Sequence, residues 1–242
     1  MTTDAIIILT ICFSAFVQGI SGFGFALVAM PILAGLTSIY VAAPLVALTT
    51  LTNNTFMCLY YRRSFSKAIV VKMLCGSVVG IPLGLLALQY FSVSVMLMAL
   101  GLTIVSYAVY TLLAPVTPVL KSQKWLYSSG FLSGILIGSF NMPGPPAILY
   151  GNNQRWPQEK FKSNLTGFFW VNGLLVTFGH SVQHRLTPEV FHQYLITIPG
   201  LVMGLVAGIT LSNTLNPLTF RRIILGVLMV VGARLLVMGA QS

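Results

Sequence analysis

Two short stretches carry the residues with chemical possibilities. The first, Phe16 to Pro31, reads FVQGISGFGFALVAMP and sets Gln18, Gly19, Ser21, Gly22 and Gly24 inside the uncharged run Ala5 to Leu36. The second reads FLSGILIGSFNMPGPP and sets Gly134, Gly138, Asn141, Gly144, Pro145 and Pro146 inside the run Trp125 to Gly151. Glycine, proline and short polar residues are poor helix formers, so each stretch reads as two short helices meeting at a break. A helix that starts at a break offers unpaired N–H groups and roughly half a positive charge. Glycine lets backbone approach a ligand closely, so such a start grips an anion without a full cation. Starts near Phe23 and near Gly144 are expected to converge from opposite sides on one pocket near the middle of the bilayer. Gln18, Ser21 and Asn141 are the candidate side-chain donors there; the competing role is to hydrogen-bond the backbone freed by the break.

These stretches must be positioned by apolar helices. Of 242 residues, 56% are hydrophobic and only 7% charged. Soluble domains carry about 25% charged residues, so the chain is read as an all-α polytopic membrane protein. A crossing takes about 20 helical residues. The run Ala5 to Leu36 is too long for one pass and too short for two with a turn. Broken backbone at membrane depth survives only when buried in protein or facing a water-filled cavity. Full spans are expected over Val41–Tyr61, Ala68–Gln89, Ser92–Ala114, Ser163–Gly179, Val190–Leu211 and Thr219–Ala240. The N-terminal MTTD lacks the positive region of a signal peptide, so the first apolar segment is expected to be retained.

The chain repeats itself. Adding 115 maps Phe16 onto Phe131, Gly19 onto Gly134 and Pro31 onto Pro146. Adding 124 maps the ladder Gly76, Gly80, Gly84 onto Gly200, Gly204, Gly208. Small residues four apart let helix backbones pack closely, and their recurrence marks duplication. The expected organisation is one membrane domain of two inverted repeats, residues 1–114 and 125–242, joined by a Pro-rich linker at 115–124. Each repeat is a broken glycine-rich helical hairpin plus three transmembrane helices. That arrangement puts 11 of the 13 Lys and Arg residues on one side, all but Arg185 and Arg234, with both termini outside. The positive-inside rule accounts for the net charge of +10 without nucleic acid.

GISGFGFALVAMP and GILIGSFNMPGPPAILY resemble the two glycine-rich repeat motifs of the sulfite exporter TauE/SafE family, the four-toluene-sulfonate uptake group. The resemblance covers essentially the whole chain. It implies a multi-pass permease of a bacterial inner membrane moving sulfite, sulfonates or related small anions, often outward. By motif position it implies site roles for Gly19, Gly22 and Gly24, and for Gly134, Gly138, Gly144, Pro145 and Pro146. Many members carry Gly-Gly-Pro-Pro in the second motif, where this chain has Asn141-Met142-Pro143 before Gly144.

The expected substrate site is therefore Gln18, Gly19, Ser21, Gly22, Phe23, Gly24, Gly138, Asn141, Gly144, Pro145 and Arg234. Arg234 is the one charge deep in a span, placed either on the pathway or snorkelling outward. Asn53 and Asn54 are expected at the cytoplasmic interface, His180 in an exposed loop, and Lys162 in the basic loop 152–162. Cys12, Cys58 and Cys75 lack paired spacing, and no metal or cofactor is expected. No Ser/His/Asp set or carboxylate pair lies within the spans, which argues against an enzyme. Asp4, Glu159 and Glu189 are the only carboxylates, and none lies in an expected span. A carboxylate proton relay is therefore disfavoured, and potential-driven anion export is expected. An anion channel and an uptake permease of the same fold stand as alternatives. The partners expected are a small anion and the bilayer, with a homo-oligomer left open.

Overall fold

The computed structural model describes residues 3–62, 65–113, 122–142, 144–212 and 217–241, without the side chains of 217–223. Most of the expected linker, together with Arg63 and Pro143, lies outside the described residues. Among the described residues there are ten helices and no strand. In order they are α1 (Thr3–Ser21), α2 (Phe25–Ala34), α3 (Ile39–Tyr61), α4 (Lys67–Tyr90), α5 (Val93–Leu113), α6 (Lys124–Phe140), α7 (Gly144–Asn153), α8 (Gln158–Val182), α9 (Pro188–Leu211) and α10 (Pro217–Gln241).

Among the described residues five helices are long and apolar enough to cross a membrane: α1, α4, α5, α9 and the Ile224–Gln241 part of α10. Their outer faces expose Val71, Val79, Leu83, Leu102, Met203, Val206 and Val230, as lipid contact requires. The helices α3 and α8 are as long, at 23 and 25 residues, but more polar. They pack against each other at the centre of the bundle.

Close packing is concentrated in three helix pairs, α4 with α6, α1 with α9 and α5 with α10. A β-carbon at Gly76, Gly80 or Gly84 would run into the backbone carbonyls of Tyr127, Phe131 and Ile135 on α6. One at Gly204 or Gly208 would run into those of Cys12 and Phe16 on α1. In lipid there is no hydrophobic drive between helices, so backbone approach of this kind supplies the dispersion contact that joins them. Gly19 and Gly138 belong to the same seams, since their β-carbons would lie 2.9 and 3.0 Å from the α-carbons of Gly208 and Gly84. Both were expected as substrate residues, and the structure places both in these packing seams.

The helices α2 and α7 begin 119 residues apart, at Phe25 and Gly144, as do α3 and α8, at Ile39 and Gln158, four more than the register of 115 read from the sequence.

Candidate functional site

The first break is a turn built by glycine. The Gly22 N–H donates to the Gln18 carbonyl (2.7 Å), and the chain reverses through left-handed backbone at Gly22 (φ 81°) and Gly24 (φ 100°). A residue with a β-carbon adopts such backbone at a cost. The Ser21 hydroxyl lies 2.8 Å from the Val17 carbonyl and accepts from the Phe23 N–H (3.3 Å), so it serves the break itself. At Gly24 the chain lies against Val17, which folds α2 back along α1. No side chain caps the start of α2, although Phe25, Ala26 and Leu27 are buried there.

The second break is built differently. Asn141 adopts left-handed backbone (φ 52°) at the end of α6. Its N–H donates to the Ile137 carbonyl (2.8 Å), and the Met142 N–H donates to the Leu136 carbonyl (3.3 Å), a helix-ending pattern. The Asn141 amide donates to the Ala43 carbonyl of α3 (2.6 Å) and lies 3.3 Å from His180 Nε2 of α8. The helix that follows offers few free donors. Pro145 and Pro146 have no N–H, and that of Ala147 donates to Ser133 Oγ (3.1 Å). The expectation that both helix starts present amides to an anion therefore fails for α7.

The breaks also stand apart. Gly22 presses on the stem of Lys162, near the start of α8, whereas Asn141 meets His180, near its end. Those two α8 residues are separated by about 27 Å of helix rise, close to the thickness of a bilayer core. The single shared pocket expected from the sequence is not formed.

What links the breaks is a seam between α3 and α8. Residues three and four apart fall on one helix face. On α3 one face carries Ala43, Ala47, Thr50, Asn54, Met57 and Tyr61; on α8 one face carries Lys162, Thr166, Phe169, Gly173, Val176 and His180. Each series runs from one break to the other, and all but Tyr61 are buried. A cavity of about 10 Å³ between the helices, bounded by Thr50, Asn141, Phe169 and Gly173, is room for one water at most.

The seam is rich in polar groups without partners. Thr50 Oγ1, Asn53 Oδ1 and Nδ2, Asn54 Nδ2, Asn164 Nδ2, Thr166 Oγ1 and His180 Nδ1 are buried and unbonded. Asn54 Oδ1 accepts from Gln18 Nε2 (2.6 Å), which ties the helix before the first break to the seam. Asn53 and Asn54, expected at an interface, are fully buried, and so is His180, expected in an exposed loop. Lys162, expected in the basic loop, lies inside α8 at 3% exposure. Arg234 is exposed on α10, a helix that packs mainly on α5.

Beside the first break lies a larger cavity of about 380 Å³. Ser21, Phe23, Gly24, Arg155, Trp156 and Phe161 are among its lining residues, the Phe23 and Phe161 rings meeting edge to face at 5.9 Å. Arg155, not singled out in the sequence, brings a cation to this wall.

The sequence signature described as Sulfite exporter TauE/SafE matches residues 7–235. The chain belongs to the TauE/SafE family. It is 28% identical over 225 residues to a Cupriavidus necator protein described as a probable sulfite/organosulfonate exporter TauE. The match covers 90% of this chain and 88% of that relative. No solved structure matches. As a TauE/SafE protein the chain is a multi-pass membrane transporter and not an enzyme.

Proposed function

We propose that this protein is an export permease for a small sulfur oxyanion, sulfite or a sulfonate, and that the anion passes along the α3/α8 seam between the two breaks. The observation that carries the pathway is the set of buried, unpartnered polar groups on the seam, centred on Thr50, Asn53 and Asn54. An unmade hydrogen bond in a buried site costs about 1–3 kcal/mol. Several of them on adjacent helices are costly to maintain for packing alone. A solute rich in acceptor oxygens satisfies most of them, because all but Asn53 Oδ1 are potential donors.

Access comes first from the cavity at Gly22–Gly24, where the uncapped α2 start and Arg155 favour an anion. A gap sized for one water at this point of the seam favours a carrier that opens alternately over a channel. Equivalent packing supports two inverted repeats, with α1 on α9 matched by α4 on α6, and the central pair α3 and α8 meeting each other. Under that reading both termini lie outside a bacterial inner membrane and the first break opens to the basic, cytoplasmic side. Of the side chains first picked from the sequence, Gln18 and Asn141 remain pathway residues, with Gly22, Phe23 and Gly24 at the inner entrance. Gly144 and Pro145 shape the outer end.

The test is flux in proteoliposomes of purified protein. Saturable efflux of labelled sulfite, with counter-flow by unlabelled sulfite or sulfoacetate, is expected, and Asn54→Ala should lower it at least tenfold. Non-saturable flux without counter-flow would leave the carrier reading untenable. Absence of flux with any small sulfur or carboxyl anion would remove the substrate assignment.

A further inference from the structure

Lys162 has no settled partner. It lies at 3% exposure in α8, and its stem is clamped by Gly22, whose β-carbon, if it had one, would collide with Lys162 Cγ. Among the described residues its ammonium makes one hydrogen bond, a long one of 3.4 Å to the Tyr61 hydroxyl, and it stands 5.4 Å from the centre of the Tyr61 ring. An ammonium carries three donors and never accepts. The three carboxylates of the chain are all exposed, at Asp4, Glu159 and Glu189, and Lys162 pairs with none of them. A buried charge in this position normally has a counter-ion, and removing a buried charge from water without one is strongly unfavourable.

The surroundings repeat the same imbalance. One turn along the same face of α8 stands Thr166, fully buried with its hydroxyl unpaired. Asn164 spends its Oδ1 on the Ser66 N–H (2.8 Å) and leaves its Nδ2 without a partner. Across the seam Asn54 likewise spends its oxygen on Gln18 and keeps a free Nδ2. Three potential donors and a cation therefore lie near the first break, and among the unpartnered buried groups of the seam the one atom that can only accept is Asn53 Oδ1. A group with several oxygens and a negative charge complements them, whereas a cation or a neutral donor does not.

We propose that Lys162 is the counter-ion of the transported anion: the first break, α3 and α8 form an oxyanion site whose ammonium is held by Tyr61 while empty and pairs with a sulfonate-type head group when loaded. This rests on the permease reading and adds to it the residue that compensates the charge. A single cation with no carboxylate nearby balances one negative charge, so the site suits a monoanion such as methanesulfonate.

The experiment compares wild type with Lys162→Arg, Lys162→Gln and Lys162→Met. Methanesulfonate and sulfite are the probes, read by stabilisation of the detergent-purified protein and by proteoliposome flux. Lys162→Arg should keep binding within about tenfold. Lys162→Gln and Lys162→Met should melt near the wild type when empty, yet lose affinity on the order of a hundredfold, the usual effect of removing one partner of a buried charge pair. Equal affinity in Lys162→Gln and wild type overturns the inference while leaving the permease reading intact. Failure of both neutral variants to fold also overturns it, because that outcome describes a purely structural lysine. No binding or flux by wild type would instead defeat the permease reading itself.

Discussion

Gly22 bears two constraints at once: a left-handed backbone at φ 81° and the stem of Lys162 where a β-carbon would go. Gly22→Ala should therefore cost about 2–3 kcal/mol, from backbone strain and overpacking together. At Gly24 the backbone is equally unusual, but the nearest atom to an added β-carbon is Val17 Cγ1 at 3.3 Å, which can yield. Gly24→Ala should be the milder change by detergent melting temperature, and equal losses would show that the clash with Lys162 adds nothing. The importance of both glycines was legible, because a polar, glycine-rich interruption of an apolar helix has few structural solutions. The partner was not. Lys162 stands in QEKFK after Pro157, which reads as the solvated start of a helix. Only the fold brings Gly22 over it. His180 was misread for the same reason, since GHSVQH reads as a loop, whereas the fold buries it and brings Asn141, at the end of α6, to within 3.3 Å of its ring.

Two helix starts that look alike in sequence differ in the backbone amides they leave free. The start of α2 lacks a cap, whereas α7 opens with Gly144, Pro145 and Pro146 and gives the Ala147 N–H to Ser133. Ser133→Ala should leave that buried amide unpaired and cost about 1–3 kcal/mol. It should leave anion affinity at the first break unchanged, as ligand-induced stabilisation would show; a large loss of affinity would place the binding site at α7 after all. Part of this asymmetry was readable beforehand, since two prolines delete two amides by covalent structure alone. The hydroxyl 14 positions earlier was not, because its role depends on α7 folding back along α6. Element lengths tell a similar story. The limits of α4 and α5 follow from their apolar runs, but α8 begins at Gln158, well before its apolar part: Gln158 and Glu159 face water, and burial starts with Phe161 and Lys162 beside the first break.

At the scale of the molecule, the glycine ladders were legible as packing, but only the fold shows which helices they join. Gly80 lies on the Phe131 carbonyl and Gly204 on the Cys12 carbonyl, in matching places on α4 and α9. Gly80→Val and Gly204→Val should each cost about 3 kcal/mol, read as loss of folded protein in a detergent melt. Tolerance of one but not the other would count against equivalent halves. The energetics of transport follow from the same architecture. With all three carboxylates exposed, no acidic side chain on the α3/α8 seam can carry a proton against the anion. Each monoanion then moves one negative charge, and an inside-negative potential favours its exit by about 2.3 kcal/mol per 100 mV. That corresponds to a gradient of roughly fiftyfold at equilibrium for 100 mV. In proteoliposomes clamped by a potassium diffusion potential, methanesulfonate should distribute by this ratio and respond little to an imposed pH gradient. Flux that follows the pH gradient at fixed potential would show proton coupling, and His180, buried at the far end of the seam with Nδ1 unpaired, would then be the first residue to substitute.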